Sequence, residues 1–236
     1  MSEDTFSKAR ILSLDCSENR CQVSLGEGER LVAFASVDAP RQHADLLLGL
    51  VQDVLIQAHW QAHQIQAVGV IQGPGAFTGI RIGISMAQGL AYGWGVPCLP
   101  LNTLEVLARA GFAGYPPAMR VLALLDARMG QVYAAGYLRG QAGWAEWIPA
   151  CCVEPDKLLP TLQACNDNQP TLCLGSGLSA YSQFFQEHVA DQITTAELIT
   201  FDCEQLCISA FAAWMNQQQV APMALDGLYL RPAVTP

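Results

Sequence analysis

The segment Gly73-Pro-Gly-Ala-Phe-Thr-Gly-Ile-Arg-Ile-Gly83 is the strongest structural signal in the sequence. A short apolar run at residues 67–71 precedes it and predicts a buried strand. Apolar residues follow it at helical spacing from residue 80 to residue 93, and Pro97 lies just beyond. A strand, a glycine-rich loop and a helix in this order predict an α/β fold.

The glycine loop has two interpretations. Free backbone N–H groups at the start of a helix favour an anion, so Gly73, Gly75 and Thr78 are candidate phosphate contacts. The loop is not a Walker loop, because no Lys-Ser/Thr follows its last glycine, and Thr78 stands where a dinucleotide fingerprint needs its third glycine. The alternative is a tight turn whose glycines let strand and helix pack closely.

Outward from this loop, each half of the chain opens with β-hairpin material and continues with alternating helix and strand. The Gly/Pro-rich residues 111–117 predict the boundary between an N-terminal subdomain, residues 1–112, and a C-terminal one, residues 113–236. Both halves contain a strand–glycine loop–helix step, which indicates a duplicated α/β unit. We expect a final helix at residues 204–219 that packs back on the N-terminal subdomain.

Two further groups of residues are candidates for nucleotide contact, and a third is a candidate ion pair. Asp15 and Ser17 follow the first strand, where a carboxylate can hold Mg²⁺ through water, although a lone Asp there also suits a turn. Gly175 and Gly177 follow a strand in the second half and fit a nucleotide contact or a simple turn. Asp126-Ala-Arg128 fits an ion pair at a domain cleft or at the end of a hairpin.

Composition limits the function classes. The 236 residues carry a net charge of -9, and the 12 basic residues form no run, so we expect no binding of nucleic acid by the chain alone. Only 14% of residues are charged, which favours apolar surface covered by a partner subunit. The nine cysteines form no C-x-x-C pair, which favours reduced thiols, and the absence of a leader or membrane-length segment predicts a cytoplasmic protein.

Seven segments, in order over nearly the whole chain, resemble the TsaB family, also called YeaZ. They are Ile11-Leu-Ser-Leu-Asp-Cys-Ser17, Arg41-Gln-His-Ala-Asp45, the glycine loop, Gly89-Leu-Ala91, Asn102-Thr-Leu-Glu105, Asp126-Ala-Arg128 and Tyr229-Leu-Arg231. The first hundred or so residues also look like the start of TsaD, the catalytic paralogue. The resemblance implies a duplicated actin-like, Hsp70-like (ASKHA, RNase H-like) fold with two subdomains. It also implies a role in making N6-threonylcarbamoyladenosine (t6A) beside the tRNA anticodon.

In the pathway that this resemblance implies, TsaD transfers threonylcarbamoyl from its adenylate to adenosine, with TsaB and the ATPase TsaE as partners. The metal-binding His-x-x-x-His of TsaD-like enzymes falls here on Thr103 and Leu107, and neither side chain replaces a histidine ligand. This departure favours a subunit that has no catalytic residues, no metal and no required cofactor. The sequence does not decide whether ATP or ADP binds at an interface. The alternative class is an actin-fold small-molecule kinase or metallopeptidase-like enzyme.

Two helices form the predicted partner surface. Small residues spaced by four make a ridge on the helix after the glycine loop, and leucines on the helix at residues 43–58 lie off its main apolar face. The predicted interface comprises Leu46, Leu48, Leu50, Val54, Gly79, Ile80, Gly83, Ile84 and Ala87. The resemblance implies pairing with TsaD, and tRNA contact only through the complex. The alternatives are burial of both helices within one domain and a symmetric homodimer when the chain is alone.

Overall fold

The computed structural model describes residues 8–38, 40, 42–140, 143–164, 171–191, 193–196 and 200–231. The chain divides into two compact units, Met1–Thr103 with Asp202–Leu228 and Leu104–Phe201 with Tyr229–Pro236. The division at residue 103 differs from the predicted boundary after residue 112, because the helix Thr103–Gly114 continues through the first glycines of that segment.

The first unit is built on a mixed five-stranded sheet in the order β3-β2-β1-β4-β5. Its strands are β1 Arg10–Asp15, β2 Arg20–Glu27, β3 Arg30–Asp38, β4 Ala67–Gly73 and β5 Cys98–Asn102. The first three strands are antiparallel neighbours, whereas β1, β4 and β5 run parallel.

Helices cover both faces of this first sheet. Helices α1 (His43–Ala58) and α2 (Phe77–Trp94) pack on the face that carries Val23 and Leu25. Helix α7 (Cys203–Met215) packs on the other face, where a Cβ at Gly26 would clash with the Cys207 sulfur. Successive side chains of β2 point to opposite faces of the sheet, so each one contacts either α1 and α2 or α7.

The second unit repeats this plan. Its strands are β6 Arg120–Arg128, β7 Gln131–Gly140, β8 Gly143–Val153, β9 Thr171–Leu174 and β10 Ile193–Thr195, in the order β10-β9-β6-β7-β8. Its helices are α3 Thr103–Gly114, α4 Leu159–Gln163, α5 Ser176–Ala180 and α6 Ser182–Val189. Read from the hairpin side, β8-β7-β6-β9-β10 matches β3-β2-β1-β4-β5 in order and direction, so the predicted duplication is confirmed.

Two strands are absent from the sequence prediction, and both are edge strands. Strand β8 contains Pro149 and pairs irregularly around Gly136, so its apolar residues do not alternate cleanly. Strand β10 has only three residues, too few for a periodic signal. Within the described residues, no helix is long and apolar enough to span a membrane.

Candidate functional site

Backbone atoms of the same chain occupy the space beside the glycines of the loop. A Cβ at Gly75 would lie 2.5 Å from the carbonyl oxygen of Ser17, and one at Gly79 would clash with the carbonyl oxygen of Cys16. The backbone N–H of Ala76, just before α2, donates to the Ser17 oxygen over 2.6 Å. The glycines therefore let α2 sit directly on the turn between β1 and β2, as the close-packing interpretation requires.

Two other segments fasten the same loop. Gly73 has φ of 120°, and a Cβ there would lie 2.8 Å from the carbonyl oxygen of Leu228. The hydroxyl of Thr103 donates to the carbonyl oxygen of Pro74 over 2.6 Å. Thr78 is exposed at the mouth of two cavities, and the phosphate interpretation at Gly73, Gly75 and Thr78 stays a prediction.

The carboxylate of Asp15 is buried and held by neighbours of the same unit. Its Oδ1 accepts from the backbone N–H and the hydroxyl of Ser17 over 2.8 and 2.6 Å, and its Oδ2 accepts from Gln22 over 3.1 Å. Burial raises the pKa of Asp15, and the Ser17 hydrogen bonds partly oppose that rise. This geometry is that of a turn residue, and a magnesium role stays a prediction.

Thr103 and Leu107 both have buried side chains. Thr103 is used to hold the glycine loop, while Leu107 packs so closely under Gly175 that a Cβ there would lie 2.8 Å from its Cδ2. Among the residues that the structure describes, no group of three or more His, Cys, Asp or Glu side chains is placed to hold a metal ion.

Three motifs that are far apart in sequence meet in the second unit. The backbone N–H of Asp126 donates to the hydroxyl of Ser176, inside the Gly175–Gly177 turn, over 3.3 Å. The guanidinium of Arg231 donates to the carbonyl oxygens of Ala127 and Arg128 over 2.7 and 3.3 Å.

The glycines of this turn are also explained by packing. Gly175 has φ of 106°, a Cβ there would clash with the carbonyl oxygen of Leu124, and one at Gly177 would lie 2.9 Å from the carbonyl carbon of Leu125. Close approach to β6 thus accounts for both residues, and their contact with a nucleotide stays a prediction.

Most residues of the predicted partner interface are buried within the first unit, and pairing through this surface stays a prediction. The inward face of α1 and α2 lies in the core of the first unit. The members of the predicted interface on this face are Val54, Gly79, Ile80, Gly83, Ile84 and Ala87. The ridge of small residues packs against Cys16, which follows β1, and against Val70. Leu48 is 46% exposed, and Leu46 and Leu50 are half-buried.

The outward face of α2 is apolar as well, and this is the surface that the sequence analysis did not select. It borders an open groove of about 650 Å³ lined by Ala44, Phe77, Thr78, Arg81, Ile82, Ser85, Met86, Gly89 and Leu90. Phe77 and Tyr92 are 55% and 75% exposed. The guanidinium of Arg81 lies over the Phe77 ring at 3.8 Å. The pairs 77/78, 81/82, 85/86 and 89/90 recur once per helical turn, a signal that could have identified this face.

The fold and the loop define a class: a duplicated actin-like protein whose glycine loop is filled by its own chain. Comparisons with known proteins agree. The family model described as TsaD, tRNA N6-adenosine threonylcarbamoyltransferase, matches residues 37–231. The tRNA threonylcarbamoyladenosine biosynthesis protein TsaB of Escherichia coli is 35% identical over 94% of both chains. The structure of YeaZ from Pseudomonas aeruginosa covers 94% of this chain and 100% of its own, with a TM-score of 0.81 and 28% identity.

The chain belongs to the TsaB family. A putative N-acetylmannosamine kinase from Listeria monocytogenes, 10% identical with a TM-score of 0.51 over 89% of this chain and 99% of its own, shares the fold alone. The expected actin-like, duplicated α/β fold is thereby confirmed.

Proposed function

We propose that the chain is a non-catalytic subunit that works with TsaD and TsaE in forming t6A, by pairing with TsaD. The observation that carries the proposal is the apolar outward face of α1 and α2. Membership of the TsaB family supports the pathway, because relatives are named for threonylcarbamoyladenosine biosynthesis.

The exposed face has the properties of a protein-binding surface. Isolated apolar residues are normal on a protein surface, but a contiguous apolar groove marks a site of interaction. Here Phe77, Ile82, Met86 and Leu90 follow one another along α2, and Leu48 is exposed on α1. Gly89 leaves room for a close approach, since a Cβ there would meet nothing within 4 Å. A helix pair of a related fold is the partner that such a face fits.

Leu48 is an exposed member of the predicted interface and provides a test. Leu48→Asp places a charge at the proposed contact, where burial without a counter-ion costs about 3–5 kcal/mol. We expect binding to TsaD to weaken on the order of a hundredfold or more. Met129→Asp is the matched control, because Met129 is 82% exposed on the β6–β7 turn and Asp tolerates the positive φ of 56° found there.

Size-exclusion chromatography of each variant with TsaD reads out the interaction, and circular dichroism confirms that each variant is folded. The proposal predicts that Met129→Asp co-elutes with TsaD and that Leu48→Asp does not. A folded Leu48→Asp variant that still co-elutes with wild-type affinity would place the interface elsewhere.

The proposal of a non-catalytic role rests on Thr103 and Leu107, whose buried side chains hold the loop and pack under Gly175. The competing enzyme hypothesis, an actin-fold kinase or metallopeptidase-like protein, predicts ATP turnover or stoichiometric metal in the purified chain. Steady-state ATP hydrolysis with Mg²⁺, together with metal analysis of the pure protein, separates the two. The location that fits this role is the cytoplasm, where tRNA is modified.

A further inference from the structure

Two cysteine thiols lie side by side in the first unit. The sulfur atoms of Cys16 and Cys21 are 3.6 Å apart, and the residues are only 2% and 0% exposed. Asp15 of β1 is paired with Gln22 of β2 in the antiparallel ladder, so Cys16 and Cys21 are the next opposing positions towards the turn. Both side chains belong to the core under α1 and α2.

The backbone at these positions suits a covalent bond between the sulfurs. Opposing residues of antiparallel strands have Cα atoms about 4.5 or 5.5 Å apart, within the roughly 4.4–6.8 Å that disulfides span. Closing the remaining gap to a bond of about 2.05 Å requires a rotation about the Cα–Cβ bonds. We propose that Cys16 and Cys21 are a modification site that forms a reversible disulfide when the protein meets hydrogen peroxide.

The reaction is balanced with one peroxide. The thiolate of Cys21 attacks a peroxide oxygen, the O–O bond breaks, and hydroxide leaves to combine with the proton released by the thiol, giving water and a sulfenic acid. The sulfur of Cys16 then attacks the Cys21 sulfur, the S–O bond breaks, and the departing hydroxide takes the Cys16 proton as a second water. Two thiols are oxidised to one disulfide, one peroxide is reduced to two waters, and a dithiol reverses the bond.

Two further observations fit this assignment of roles. The two sulfurs are in hydrogen-bond contact, and this contact lowers the pKa of Cys21, which favours Cys21 as the attacking group. An open cavity of about 670 Å³, lined in part by His43 and Gly79, lies beside this end of β1, and Gly79 is in contact with the carbonyl of Cys16. Hydrogen peroxide is small enough to enter this cavity, whose lining includes Glu18 and Asn19 of the turn between the two cysteines.

The test uses the full-length reduced protein, treated with hydrogen peroxide and then alkylated under denaturing conditions. We expect two of the nine thiols to be lost, a peptide pair joined through Cys16 and Cys21 in the mass map, and full recovery after dithiothreitol. Cys21→Ser removes the joined peptide. The half-exposed neighbours Cys151 and Cys152 are the competing targets, so the Cys151→Ser/Cys152→Ser variant is the control that keeps the joined peptide.

The proposal is overturned if Cys16 and Cys21 are both still free to be alkylated after the wild-type protein has been treated with peroxide. It is also overturned if the loss of thiols disappears in the Cys151→Ser/Cys152→Ser variant. The wild-type peptide map decides the question even if Cys21→Ser fails to fold, which circular dichroism would reveal.

Discussion

Gly79 and Gly89 lie on the same helix but are under opposite constraints. A Cβ at Gly79 would clash with the Cys16 carbonyl, whereas one at Gly89 would meet nothing within 4 Å. We expect Gly79→Ala to lower the free energy of unfolding by about 1–3 kcal/mol through overpacking. Gly89→Ala should raise it by roughly 0.5–1 kcal/mol, because alanine is the better helix former. Urea unfolding of both variants measures this, and equal effects would contradict the packing account of the loop.

Asp15 gives a prediction for the pH dependence of stability. Because its pKa is raised in the folded protein, the folded state holds the proton more tightly than the unfolded chain does. The contribution of this group is therefore favourable below the unfolded pKa, roughly 4, and is lost as the pH rises through the raised pKa. Asp15→Asn cannot titrate, so the stability of the wild type relative to this variant should fall as the pH rises above about 4.

Urea unfolding of both proteins at several pH values measures that difference, and the titration of groups that do not interact with Asp15 cancels in the comparison. The Asn amide oxygen still accepts from Ser17, so the turn should keep its shape. A wild type that gains stability over the variant as the pH rises would show that the carboxylate is stabilised in its charged form.

At the level of elements, the sequence predicts most of the fold because burial repeats with the period of each element. Helix α1 is predicted at the bounds that the structure has, since Leu47, Val51 and Val54 recur at helical spacing. The hairpins β2–β3 and β6–β7 follow from apolar runs separated by turn residues. Edge strands carry a weaker signal, because only one neighbour constrains them, and β8 with its Pro149 was missed for that reason.

The candidate site was less predictable than the fold. Sequence alone marks residues 73–83 as special, but it does not reveal that the carbonyls of Cys16 and Ser17 fill the space beside Gly79 and Gly75. It also selected the inward face of α2, because a ridge of small residues allows close approach equally well by a partner or by the helix's own sheet. Only the burial of Val70 and Cys16 against that ridge decides between them.

At the scale of the whole molecule, charge limits what the chain binds alone. The net charge is -9 and phosphate contacts supply most of the affinity for nucleic acid, so we expect a tRNA dissociation constant above about a micromolar at physiological salt. Filter binding of the isolated chain measures it, and the complex with TsaD and TsaE is the comparison. A submicromolar constant for the chain alone would contradict the view that tRNA is reached only through the complex.

The central claim is that the chain supports threonylcarbamoyl transfer without performing it. The most direct measurement is the reconstituted formation of t6A in tRNA with purified TsaD and TsaE, with and without this chain, and with this chain alone. The account predicts modified tRNA when all three are present, little or none when this chain is left out, and none from this chain alone. Modification at the full rate by TsaD and TsaE without it, or by this chain on its own, would contradict the account.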